Sequence, residues 1–93
     1  MPERFVLPPR LDLSTLGEVF GALRQARGRD VELDASQTDR IGGLGAQLLV
    51  SALRTWSDDG LRLSLVNPSE GLKAGLSRLG VGDILTFQQE RPA

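Results

Sequence analysis

The chain contains no cysteine and no histidine, and its only lysine is Lys73. Without cysteine it can form no disulfide, no thiol nucleophile and no cysteine–metal centre. Without histidine it can form no Ser-His-Asp triad, and it lacks the commonest transition-metal ligand. Lys73 is followed by alanine, so no Gly-Lys-Ser or Gly-Lys-Thr phosphate loop exists. Acidic residues are also not paired at a spacing that reads as a general acid and base. No segment approaches the roughly 20 apolar residues of a membrane span, and Met1-Pro2-Glu3-Arg4 does not read as a signal peptide. The expectation is therefore a cytoplasmic protein with no direct membrane insertion. Eleven basic residues stand against 12 acidic ones, for a formal charge of −1. Scattered arginines at that balance do not supply the concentrated basic surface that nucleic acid requires.

What is present fits one globular domain spanning residues 1–93, with 40% hydrophobic and 25% charged residues. Phe5-Val6-Leu7 is a short apolar run stopped by Pro8-Pro9, which cannot donate to a sheet ladder, and it is expected as an edge strand. Asp12, Ser14 and Thr15 can each cap a first helix, and Thr15 with Glu18 has capping-box spacing. Leu13, Leu16, Phe20 and Leu23 recur at helical spacing with Val19 beside them, and Gly28 supplies the stop. Val31 and Leu33 alternate with Glu32 in a strand that ends at Asp34. From Leu44, the set Leu48, Leu49, Ala52, Leu53 and Trp56 defines one face of a second helix, closed by Asp58-Asp59-Gly60. Leu61, Leu63 and Leu65 alternate in a further strand stopped at Asn67-Pro68. Ser69 or Asn67 then caps a third helix carrying Leu72, Leu76 and Leu79, closed by Gly80. Ile84-Leu85-Thr86-Phe87 is expected as a last strand or short docking segment, and Gln88 onward as a frayed tail. The expected core is Val31, Leu33, Leu63, Leu65, Leu48, Leu76 and Phe20. Strands alternating with helices imply an α/β fold, with a small mixed, partly parallel sheet and about three to four helices.

Two motifs stand out. The first runs Asp34-Ala35-Ser36 and then Ile41-Gly42-Gly43-Leu44-Gly45; the second runs Val66-Asn67-Pro68-Ser69 and then Leu72, Leu76, Leu79 and Gly80. In this order they resemble the STAS domain (sulfate transporter and anti-sigma factor antagonist). Its hallmark is Asp-x-Ser followed by Ile-Asp-Ser-Ser-Gly-Leu. Asp34 and Ser36 match the first element, and Ile41 and Gly45 match the ends of the second. The Asp-Ser-Ser positions read Gly42-Gly43-Leu44, so Leu44 occupies the position of the family's phospho-acceptor serine. The resemblance thus implies a STAS-type regulator without that phosphoserine. It also implies that the turn and the following helix form a protein-binding surface.

Three readings compete for the glycine turn. Gly42, Gly43 and Gly45 can cradle a phosphate at a helix start, but the third glycine of a dinucleotide fingerprint is absent, since position 48 is leucine. They can simply make a tight strand-to-helix turn. Or they can form a low-relief surface for a partner protein, which is the preferred reading, with Ser36, Ile41, Gly42, Gly43, Leu44, Gly45 and Gln47 as partner-binding residues and Ala46 and Arg54 on the same helix face. Asp34, Ser36, Thr38 and Asp39 are turn-forming residues or the polar rim of that surface. Asp34 and Asp39 offer too few ligands for magnesium or calcium, so neither a metal nor a cofactor is expected. The expected function is a non-catalytic, STAS-type regulatory interaction module, similar to anti-sigma factor antagonists and associated with a chemotaxis or other signalling cluster. The partners that the resemblance implies are an anti-sigma factor kinase, a signalling component or the ATPase of an ABC phospholipid transporter. A nucleotide- or small-ligand-binding module is the alternative from a different class.

Overall fold

A computed structural model describes residues 3–83; the expectations for Ile84–Phe87 and for the tail lie outside them. Three short strands form one sheet in the order β1-β3-β5: β1 (Glu3–Val6), β3 (Val31–Asp34) and β5 (Leu63–Val66). Every pairing is parallel, with Phe5 beside Leu33 and Leu33 beside Leu65. Helix α1 (Leu16–Ala26) crosses from the first strand to the second, and α2 (Gly43–Asp58) from the second to the third. Helix α3 (Glu70–Arg78) follows. The architecture is the α/β arrangement that alternating strands and helices require. Leu7-Pro8-Pro9 ends β1 at the edge of this sheet, as the missing proline N–H dictates.

The strands alternate cleanly. Val31, Leu33, Leu63 and Leu65 are buried, while Glu32, Asp34, Ser64 and Val66 on the opposite face are half-buried. That alternation marks a sheet with helices on one face and polar side chains on the other. Arg4 spans the polar face, reaching Glu32 at 3.1 Å and Asp34 at 3.2 Å. On the buried face the strands meet Val19, Leu23 and Ala26 of α1 and Leu49, Ala52, Leu53 and Trp56 of α2. The Trp56 indole donates to the Arg29 carbonyl at 2.7 Å, which ties the far end of α2 to the loop after α1.

Several expectations need correction. Phe20 is not core; it is 52% exposed, because α1 turns its Val19/Leu23/Ala26 stripe to the sheet. Leu48 is half-buried against the core rather than within it. Leu13 precedes α1 and is 77% exposed. Thr15 is the residue before α1, yet no capping box forms. Its hydroxyl instead donates to the Arg10 carbonyl at 2.7 Å. Ser69 does cap α3, accepting the Leu72 N–H at 3.0 Å.

A second, two-stranded parallel ladder joins β2 (Arg10–Leu11) to β4 (Arg40–Ile41). It has no signature in the sequence, since two residues carry no periodicity. Three glycines let helices close on it. A Cβ at Gly45 would stand 2.5 Å from the Leu11 carbonyl oxygen, and one at Gly71 2.6 Å from that of Asp39. A Cβ at Gly75 would stand 2.6 Å from the Ile41 Cγ2. Glycine is required at these positions for closeness rather than for its backbone freedom.

Candidate functional site

Because the strands are parallel, the connections that leave their C-terminal ends gather at one edge of the sheet, where open α/β folds commonly meet ligands and partners. The connection after β3 is latched to both of its neighbours. The Ala35 N–H donates to Val66 O at 2.9 Å, and the Asp39 N–H donates to Pro9 O at 2.9 Å. The Thr38 hydroxyl donates to Pro8 O at 2.8 Å, and the Gln37 amide donates to Leu7 O at 3.1 Å. The Ser69 hydroxyl donates to the Thr38 carbonyl while it caps α3. Thr38 is fully buried with its hydroxyl satisfied, so it is a structural latch and not part of an exposed rim.

Asp34 and Ser36 form a turn at the start of this connection. The Ser36 N–H donates to the Asp34 carboxylate at 3.0 Å. That bond, the Ser36 hydroxyl and the Arg4 guanidinium hold the Asp34 carboxyl below the ordinary aspartate range. Ser36 itself is exposed. Of the two loop hydroxyls at Ser36 and Thr38, only that of Ser36 faces solvent. Among the described residues, no group of three or more acidic, histidine or cysteine side chains gathers where a metal could be held.

The chain then runs through β4 into α2. Ile41 is half-buried and braces α3 through its contact at Gly75. Gly42 is the residue before the helix, in extended backbone, and its N–H donates to Leu11 O at 3.0 Å. No side chain caps α2, and its first turn has no acid. Its opening N–H groups, which have no intrahelical partner, are therefore left without side-chain acceptors at the positive end of the helix dipole. Gly43 is exposed, with nothing within 4 Å of a built Cβ. Leu44 is 53% exposed and Gln47 is exposed.

Gly45 and Ala46 stand apart from the rest of the candidate set. Both are buried, Gly45 against the Leu11 backbone and Ala46 in the core, because they lie on the face of α2 turned inward. They support the surface without presenting it; Gln47 and Arg54 are exposed. Beside Gly43 and Gln47 lies an open groove of about 610 Å³, whose other walls include Val50, Ser51, Leu79 and Val81. Val50, Leu79 and Val81 were not among the expected site residues. Val50 lies on α2, while Leu79 closes α3 and Val81 follows it, and no local spacing shows that the end of α3 approaches α2.

The family comparison matches residues 7–86 to the family described as Mlab, STAS domain. The chain belongs to the STAS domain family. The match spans both motifs and helices α1, α2 and α3. Comparison with curated proteins and with solved structures gives no match. As a STAS domain, the chain falls in a family of regulatory and interaction modules that are generally non-catalytic. None of its described helices is long and apolar enough to cross a membrane.

Proposed function

We propose that this STAS domain is a non-catalytic adaptor that binds another protein through the start of α2 and the groove beside it. What supports this reading is the exposed apolar side chain of Leu44 on an uncapped helix start, next to Gly43 and Gln47. Small residues let a partner backbone approach closely, the free N–H groups offer it donors, and Leu44 and the Val50/Leu79/Val81 walls offer apolar contact. With leucine at position 44, a phosphate on that residue cannot switch the interface. Ser36 is the exposed hydroxyl of the connection that leads into β4. The first-choice partner is a protein of a chemotaxis or other signalling assembly, with an anti-sigma factor kinase and an ABC transporter ATPase as the other candidates. The working compartment that goes with this reading is the cytoplasm.

Gly43→Glu tests it. Gly43 has open space for a side chain and no positive φ, so the substitution is compatible with the fold. Its bulk and charge are expected to abolish capture of the partner from source lysate while the melting temperature stays close to wild type. Gly43→Ala, which adds only a methyl group, is expected to retain binding. Unchanged capture by a normally folded Gly43→Glu chain places the interface elsewhere. A rise in melting temperature with ATP, which reports binding to the native state, points instead to a nucleotide at the turn.

A further inference from the structure

A second surface lies on the opposite flank of α2, where it runs beside α1. Both helices cross between parallel strands, so they run in the same direction and leave a groove between them. The groove encloses about 270 Å³ and includes Phe20, Arg24, Arg27, Leu48, Ser51 and Thr55. Phe20 is half exposed, and Leu44, one turn before Leu48, extends the apolar stripe toward the start of α2. An aromatic ring and a leucine left open on adjacent helices carry an apolar cost that a partner would relieve.

The charges around the groove indicate which partner. Arg24 stands over the Phe20 ring at 5.8 Å and has no carboxylate partner among the described residues. Arg27, farther along the same wall, reaches Asp59 at 3.2 Å and is itself 60% exposed. The lining thus holds two cations and no acid. Its volume lies at the low end of the roughly 300–1,000 Å³ of pockets that enclose a drug-sized ligand, and the groove is open along its length. A few side chains from a longer segment fit better. An isologous dimer would set this arginine-bearing patch against its own copy, like charge facing like. A groove between two helices with the same direction is a seat for a third.

We propose that the α1–α2 groove binds an acidic amphipathic helix of a partner protein. Its apolar residues pack on Phe20 and Leu48, and a carboxylate pairs with Arg24. This surface adjoins the start of α2 at Leu44 and Ser51 but centres on Phe20, Arg24 and Leu48, on the flank toward α1.

The test selects a displayed random library of helical peptides, each about 15 residues or three to four turns long, on the full chain. Enriched sequences are expected to combine apolar residues at i, i+3 or i+4, and i+7 with Asp or Glu on one flank. Binding of the synthesised peptides, read by fluorescence anisotropy, is expected to weaken at least about tenfold with Phe20→Ala, the scale of a hot-spot truncation. Arg24→Glu is expected to weaken it similarly, and a peptide with its acid replaced by lysine is expected to recover binding to the Arg24→Glu chain. Phe20 and Arg24 are exposed, and circular dichroism verifies that both variants fold. Thr55→Arg, on the other wall and outside the α2-start groove, provides a second block that leaves the ring intact. Gly43→Glu is expected to leave peptide binding unchanged, which separates this result from the fate of the α2-start interface. The proposal is overturned if no sequence is enriched, if binding survives Phe20→Ala or ignores Arg24→Glu, or if Gly43→Glu removes it. Concentration-dependent dimerisation that Phe20→Ala abolishes would likewise overturn it, by making the occupant a second copy of the chain.

Discussion

One methyl group at Gly45 brings a carbon to 2.5 Å from the Leu11 carbonyl oxygen, closer than a Cβ normally approaches anything. At Gly43, two residues earlier on the same helix, that methyl group meets open space. Sequence alone presents the two glycines as one motif. Gly45 is the point where α2 closes onto β2, while Gly43 is free surface. Gly45→Ala is therefore expected to destabilise the domain by about 1–3 kcal/mol, the cost of overpacking against backbone that cannot yield. Gly43→Ala is expected to stay within about 0.5 kcal/mol of wild type, the range of ordinary surface changes. Paired urea denaturation curves measure both; equal losses would show that the turn needs glycine at each position. The same contrast divides the loop hydroxyls. Thr38 and Ser36 both read as polar turn residues, yet Thr38 is fully buried with its hydroxyl on Pro8 O, and Ser36 faces solvent beside Asp34. Nothing in the local pattern separates them, because the burial of Thr38 comes from the proline segment 30 residues away that folds over it.

Elements were legible where two signals agreed. Helices α1 and α3 have glycine stops, Gly28 at φ +95° and Gly80 at φ +80°, and α2 is followed by Gly60 at φ +74°. Each helix also carries an apolar stripe at the helical period. The stripe of α1 is ambiguous in sequence because it has two overlapping rows. Leu16, Phe20 and Leu23 share a spacing with Val19, Leu23 and Ala26, and only packing on the sheet selects the second row. Phe20 lies on the flank toward α2 and stays half exposed. The strands were easier to read, since period-two alternation has one inward choice. Leu63 is 2% exposed and lies in register beside Val31 in the central strand. Leu63→Ala is expected to cost about 2–5 kcal/mol, the transfer and cavity terms of a buried leucine. That is a large share of the roughly 5–15 kcal/mol available to a small domain. A chemical denaturation midpoint that implies a loss under about 1 kcal/mol would mean that the Leu61/63/65 stripe faces solvent.

On the scale of the whole molecule, the two halves of the fold are joined by connections rather than by one sheet. The three-stranded sheet carries α1 and α2, whereas the β2–β4 ladder carries α3 through Gly71 and Gly75. The segment from Ala35 to Arg40 couples them, with hydrogen bonds to Pro8, Pro9, Val66 and Ser69. Gly45 against Leu11 couples them again. With so many crossings between the halves, neither can open alone without exposing buried apolar side chains of the other, such as Leu11, Leu72 and Leu76. The domain is expected to unfold in one cooperative transition. Trp56, the only tryptophan, is 3% exposed and held by the Arg29 carbonyl; it reports the sheet half at the edge away from the candidate site. Far-UV circular dichroism reports α1, α2 and α3 together. Urea titrations followed by Trp56 fluorescence and by circular dichroism are therefore expected to superimpose, with one midpoint and one slope. A dichroism change that precedes the fluorescence change would mean that α3 and the β2–β4 ladder leave first. The start of α2 would then lose its brace while the core stands, making the partner surface the least stable part of the domain.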